Sequence, residues 1–274
     1  MKRRSVLGIS SFALLVLLSA VALQRGARDL LVISWVAFLA MAAAGWLGAR
    51  GTDERADALV WGYGLASGAM ITSAAVFLLP QAIGVSGDVP QYGGFGVALG
   101  LLVGFGSHTI GHRLAHLDLP LDRTVTELSA HALSAGAIIG IVYGNMEVGL
   151  TLGLAIVSHK GPAGYAAATR LRRAGREWSV LLLPAAGVGL AAILSSVVVL
   201  PATAAVRGVV FGFAAGVFLH VAMDFLPRCE LGSEIHEALS VEGDAHALLD
   251  RLRLHAVAST SLGGLVVFAA WVAL

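Results

Sequence analysis

Long apolar blocks separated by short polar intervals dominate the pattern of hydrophobic and polar positions along the chain. A helix needs roughly 20 mostly apolar residues to cross about 30 Å of hydrocarbon, and nine blocks approach that length. The blocks lack the ten-residue alternation that is typical of membrane β-strands. The pattern therefore predicts nine membrane-spanning helices, at 5–23, 30–47, 59–79, 93–112, 125–143, 148–168, 180–200, 209–226 and 256–273.

The first block has two interpretations. Basic residues 2–4, an apolar run and the small residues 20–22 are typical of a cleavable signal peptide as well as of a retained helix. We treat 1–29 as an N-terminal span or signal anchor and 30–274 as the main domain. The topology of the remaining eight helices is the same in both cases.

Composition agrees with a membrane protein. Hydrophobic residues make up 57% of the 274 and charged residues only 13%, whereas soluble domains carry about a quarter charged residues. Soluble enzymes, disordered chains and nucleic-acid-binding proteins are excluded, and lipid is the expected surrounding partner. The single Cys229 excludes an internal disulfide and a thiolate metal cluster.

The placement of Lys and Arg predicts the orientation, because cytoplasmic segments carry an excess of these residues. With the N-terminus in the cytoplasm, the inner segments hold 14 of them and the outer segments hold Arg25, Arg28 and Arg207. The prediction is a multi-pass plasma-membrane protein whose C-terminus is extracytoplasmic and whose N-terminus, if the first span is retained, is cytoplasmic.

An internal repeat relates the third and eighth spans. A shift of 148 residues aligns 63–68 with 211–216 and 74–78 with 222–226, with six identical positions. Each copy then closes with a proline, Pro80 or Pro227, after a one-residue slip in register. The two spans run in opposite directions, which indicates an inverted repeat, a feature of transporters. The alternative is that glycine-rich helices resemble one another because they pack closely.

Ionisable side chains inside the spans are the candidate functional residues, because burying them in a bilayer is costly. Glu127 with His131, and His220 with Asp224, are each four residues apart and share a helix face. Together with His159 in the sixth span, they offer nitrogen and oxygen ligands that suit Zn²⁺ and similar cations. A structural role as interhelical hydrogen-bond donors is the alternative for each single histidine.

Five further residues accompany these candidates. Pro162 lies just past His159 and is expected to bend the helix there. Lys160 is either a structural partner of Asp224 or Glu127 or part of the mechanism. His108, His112 and His116 form an i, i+4, i+8 stripe, which is either an inner metal relay or a polar face reaching toward water.

Several of these motifs resemble the Zrt/Irt-like (ZIP) family of metal transporters. The segment from Gly64 to Ala82 is similar to the family's second core helix, and 213–227 is similar to the seventh. Residues 131–136 read His-Ala-Leu-Ser-Ala-Gly, where the family has His, three residues, an acid and Gly. Residues 159–164 read His-Lys-Gly-Pro-Ala-Gly, similar to a subgroup with His-Lys-x-Pro-Ala. Ala135 departs from the pattern because it replaces the bridging acid.

The resemblance implies an all-α polytopic membrane helix bundle of eight core transmembrane helices plus one N-terminal span, with an inverted repeat in a 3+2+3 arrangement. It implies a transport domain at 30–274 and a metal site between the two central helices. His131 and His159 are then the primary ligands, completed by Glu127 or by His220 and Asp224, while Lys160 supplies a positive charge at the second metal position.

The expected function is transport of divalent metal cations, zinc first, with iron, manganese or cadmium as further substrates. The cation is cargo, and no tightly bound cofactor and no enzymatic activity are expected. The alternative is a degenerate relative that acts as a metal sensor, a regulator or a carrier of another solute. An intramembrane zinc hydrolase is disfavoured because no HExxH motif is present. A second copy of the chain, in a homodimer, is a further candidate partner.

Overall fold

The computed structural model describes residues 5–51, 56–115, 123–146, 149–201, 203–229 and 245–273. All of the regular elements in these residues are helical. The α-helices are α1 Val6–Gln24, α2 Arg28–Arg50, α3 Ala56–Ser73, α4 Leu79–Gly84, α5 Gln91–Ala115, α6 Arg123–Asn145, α7 Leu150–Val157, α8 Lys160–Arg173, α9 Leu182–Ser195, α10 Ala204–Asp224 and α11 Ala245–Ala273. A π-helical turn, Ala74–Leu78, joins α3 to α4, and a 3₁₀ turn, Trp178–Leu181, precedes α9.

Seven of the described helices are long and apolar enough to cross a membrane, counting α3, the π-helical turn and α4 as one. The apolar part of α5, Gln91–Gly106, is shorter. The prediction of an all-helical fold is confirmed, and the apolar helices indicate a multi-pass membrane protein.

A π-helical turn lies beside the one-residue slip that the 148-residue shift shows before Pro80. Phe77-Leu78-Leu79-Pro80 matches Phe225-Leu226-Pro227, so the first copy holds one extra residue. A π-turn closes i→i+5 bonds and accommodates one additional residue within a continuous helix. Pro80 follows this turn directly and lies within the same continuous helix, where it removes one backbone donor. The predicted end of the third span at Leu79 is therefore wrong, because the helix continues to Gly84.

The sixth predicted span is two helices rather than one bent helix. Helix α7 ends at Val157, two turn residues follow, and α8 begins at Lys160. Pro162 lies in the first turn of α8, where the N–H groups have no intrahelical acceptor in any case. The break therefore lies at 158–159, before the proline, and His159 is the residue that caps α8.

Glycines bring neighbouring helices into backbone contact. The most extensive contacts pair α10 with α5, α11 with α3, α6 with α9 and α2 with α8. A Cβ atom at Gly64 or Gly68 would overlap α11, and one at Gly212 or Gly216 would overlap α5. These positions set how closely the helices approach, and they are related by the 148-residue shift.

The N-terminal helix belongs to the packed core rather than standing apart. Helix α1 contacts α9 and α2, and the side chain of Leu15 is fully buried. The backbone N–H of Ser5 donates a hydrogen bond to Ser179 Oγ over 2.9 Å. At the other end of the chain, α11 begins eleven residues before the predicted span and packs Leu249 and Leu252 against Val60.

Candidate metal site

Two histidines from different helices meet inside the bundle. The Nε2 atoms of His131 on α6 and His159 at the start of α8 are 3.3 Å apart. His159 is 1% exposed. Two nitrogen ligands at about 2.0–2.1 Å from one tetrahedral Zn²⁺ lie about 3.3–3.4 Å apart, so this spacing suits a shared metal ion. It also suits an N–H of one ring donating to the other ring.

Close backbone packing holds each imidazole in place. One turn after His131, a Cβ at Gly136 would overlap the backbone of Val188 on α9. On α8, a Cβ at Gly164 would overlap the carbonyl of Met41 on α2. Helices in backbone contact have little freedom to slide against each other, so α6 with α9 and α8 with α2 form a rigid support. Helices α2 and α9 also pack together.

A phenylalanine from α10 contacts both imidazoles. The centroid of the Phe218 ring lies 5.4 Å from that of His159, in an edge-to-face arrangement, and 6.4 Å from that of His131. Both distances lie in the range of favourable aromatic pairs. Phe218 is 3% exposed. The sequence analysis missed it, because a Phe in an apolar helix carries no signal that separates it from any other core residue.

Lys160 and Ala135 determine the charge around the two imidazoles. Lys160 follows His159 directly, is 2% exposed, and interacts electrostatically with His131. Among the described residues no carboxylate forms an ion pair with Lys160. Ala135, one turn beyond His131, is 4% exposed and holds a methyl group where the resemblance expects an acid. Lys160, when protonated, therefore places a positive charge beside the two imidazoles.

The predicted carboxylate ligands lie elsewhere in this conformation. His220 and Asp224 contact each other over 3.3 Å, and the His220 ring packs against Gly104 of α5. Two helical steps rotate a side chain by about 200°, so His220 and Phe218 point to opposite sides of α10. Glu127 is exposed, one turn before His131 on the same side of α6. The structure thus brings together His131 and His159 and holds His220 against α5.

Most of the predicted histidine stripe lies outside the residues that the structure describes. The backbone of His108 and His112 lies on the last turns of α5, while their side chains and the whole of His116 lie outside the described residues.

A separate cavity of about 790 Å³ opens near the α1–α2 turn and is lined by Arg25, Arg28 and Tyr143, among others. Tyr143 is twelve residues along α6 from His131, or about 18 Å, so this cavity is remote from the imidazoles.

The described residues hold no group of three or more His, Cys, Asp or Glu side chains placed to bind a metal ion together. Two imidazoles alone would supply two of the four ligands that tetrahedral Zn²⁺ takes. The chain matches no protein-family model and no curated protein.

Proposed function

We propose that this protein is a multi-pass membrane transporter of divalent metal cations, zinc first, of the Zrt/Irt-like type. His131 and His159 are the primary ligands. The observation that carries the proposal is the meeting of two imidazole nitrogens at 3.3 Å, from two neighbouring helices, at a break in one of them. A discontinuous helix at mid-membrane depth is the usual setting of an ion site in a transporter.

Two neutral imidazoles do not balance the charge of a dication, so a carboxylate completes the site when metal is bound. Glu127 is the nearest candidate along the chain, since it shares a side of α6 with His131. His220 and Asp224 offer the second set, which requires α10 to turn or shift relative to α6. Water fills the remaining positions. Pro162 is compatible with the break, because it lies in the first turn of α8, where a backbone N–H has no intrahelical acceptor.

The packing pattern supports an inverted repeat. The three helices α2, α3 and α5 precede the central pair, and α9, α10 and α11 follow it. The contact of α10 with α5 then has its counterpart in that of α3 with α11, and the contact of α6 with α9 in that of α2 with α8. Glycines related by the 148-residue shift make two of these contacts, as an inverted repeat predicts.

The same contacts divide most of the helices into two groups, and this division supports transport by sliding. Helices α1, α2, α6, α8 and α9 form the group that carries His131 and His159, while α3, α5, α10 and α11 form the other. Movement of the first group along the second would carry both ligands together and expose them to the two sides of the membrane in turn. The orientation follows the charge bias, with the C-terminus extracytoplasmic and the plasma membrane as location.

One observation favours a second function. No third ligand joins the imidazoles among the described residues, and Ala135 is buried where an acid is expected. This arrangement fits a degenerate relative that senses metal, regulates another protein or carries a different solute. Zinc uptake into proteoliposomes separates the two functions. Saturable uptake above that of empty vesicles supports a transporter, and no uptake of zinc, iron, manganese or cadmium by the folded protein contradicts it.

Restoring an acid at position 135 is expected to strengthen metal binding. The variant Ala135→Asp places a carboxylate one turn from His131 and balances the charge of a bound dication, so zinc affinity should rise about tenfold or more. The matched control is Ala135→Asn, which has the same shape without the charge. Titration of the purified variants with zinc measures both affinities. Equal affinity in the two variants would contradict a dication site at His131.

A further inference from the structure

Among the described aromatic residues, Phe218 is the one whose ring lies beside both imidazoles. Its ring touches both His131 and His159, whose helices belong to one packed group, while α10 belongs to the other. The ring therefore lies at the interface between the two groups, at the depth of the site. It is buried, as is His159.

Helix α10 itself is held firmly, so the ring is presented by a rigid support. Its glycines 212 and 216 pack against the backbone of α5. Four residues after Phe218, the carbonyl of Ala222 accepts a hydrogen bond of 2.8 Å from the buried Ser67 hydroxyl of α3. An aromatic ring on such a support keeps its place when the helices that carry the imidazoles move.

We propose that Phe218 is the seal of the His131–His159 pair: its ring excludes water from the two Nε2 atoms in this conformation and uncovers them only when the two helix groups shift. This role rests on the proposed function for the identity of the cargo, a divalent cation. The physical basis is volume and polarity. Removing the ring leaves room for about two or three waters at roughly 30 Å³ each, beside imidazoles that attract them.

The chain offers a clean test because Cys229 is its only cysteine. In a Cys229→Ser, His131→Cys background, the thiol at 131 replaces one imidazole and reports on water at the site. The purified full-length protein is reconstituted into vesicles with a water-soluble thiosulfonate reagent on both sides and no metal. We expect slow labelling with Phe218 present and labelling at least tenfold faster with Phe218→Ala.

Two controls separate sealing from general loosening of the bundle. Phe218→Leu keeps most of the apolar volume and should label as slowly as the parent. Phe211→Ala removes an equally buried ring two turns away on the same side of α10, away from the imidazoles, and should also leave labelling slow. If Phe218→Ala does not fold, Phe218→Val, which removes less volume, is compared with the same controls.

The sealing role of Phe218 would be contradicted if Phe218→Ala, or Phe218→Val in its place, left the labelling rate unchanged. It would also be contradicted if Phe211→Ala raised the labelling rate as much. Because the labelling reaction contains no metal, its result is independent of transport. If the protein takes up no zinc, iron, manganese or cadmium, the proposed function fails. If zinc uptake persists after loss of both imidazoles, only the assignment of His131 and His159 as ligands fails. In both cases the labelling result still decides whether Phe218 excludes water.

Discussion

Loss of both imidazoles in a His131→Ala, His159→Ala variant is expected to abolish saturable zinc uptake and to weaken zinc binding by about 100-fold or more. Changes to groups that merely support a ligand cost about 10- to 100-fold in metal affinity, and loss of the ligands themselves costs at least as much. The double variant is preferable to either single one, because a single replacement leaves the other buried imidazole without its 3.3 Å neighbour.

His255→Gln is the matched control for this experiment. His255 accepts a hydrogen bond from Trp61 Nε1 over 3.1 Å and lies on α11, outside the imidazole pair. The control tests whether loss of any membrane-proximal histidine reduces uptake. Uptake in vesicles and zinc titration of the purified protein measure the effect, with thermal unfolding to establish that each variant folds. Unchanged zinc affinity in the double variant would contradict the assignment of His131 and His159 as ligands.

Two glycines of α5 are expected to respond to alanine in opposite directions. At Gly96 a Cβ would overlap the carbonyl of Val209 and press on the backbone of α10, which has no space to yield. Overpacking of this kind costs about 1–3 kcal/mol, so Gly96→Ala should lower the melting temperature clearly. At Gly94 nothing lies within 4 Å of the added atom. There alanine should be neutral or stabilise by up to about 1 kcal/mol, because it reduces the freedom of the unfolded chain.

Thermal unfolding of the detergent-solubilised protein measures this difference, and both variants share one helix and one chemical change. An equal fall in melting temperature for the two would show that the contact of α5 with α10 does not depend on backbone proximity. That result would also weaken the evidence for the inverted repeat. Gly212 contacts the same stretch of α5, and it is one of the positions that the 148-residue shift relates.

The electrostatics of the site account for the competition between the two proposed functions. Lys160, when protonated, opposes the approach of a dication to the two imidazoles in the described conformation. A transporter does not need tight binding in every state, because the cargo must also leave. The buried Ala135, which holds no acid, is the feature that favours the second function.

The sequence by itself determined the helical class, most of the apolar helices and the candidate histidines. Length and hydrophobicity suffice for this, because a bilayer leaves the backbone few ways to satisfy its hydrogen bonds. The similarity at a shift of 148 residues was also visible, and its one-residue slip before Pro80 lies just after the π-helical turn Ala74–Leu78. Spacing of four residues correctly paired His220 with Asp224 on one side of α10.

Only the tertiary structure decided which of these residues meet. Helical periodicity states which side chains share a face, but the rotation of each helix against its neighbours depends on packing between residues distant in sequence. Glycine contacts with α9 and α2 bring His131 and His159 together, and the contact of Gly104 with His220 turns that residue away from Phe218. The break at 158–159, the continuation of the helix through Pro80, and the ring of Phe218 beside both imidazoles arise from the same three-dimensional packing.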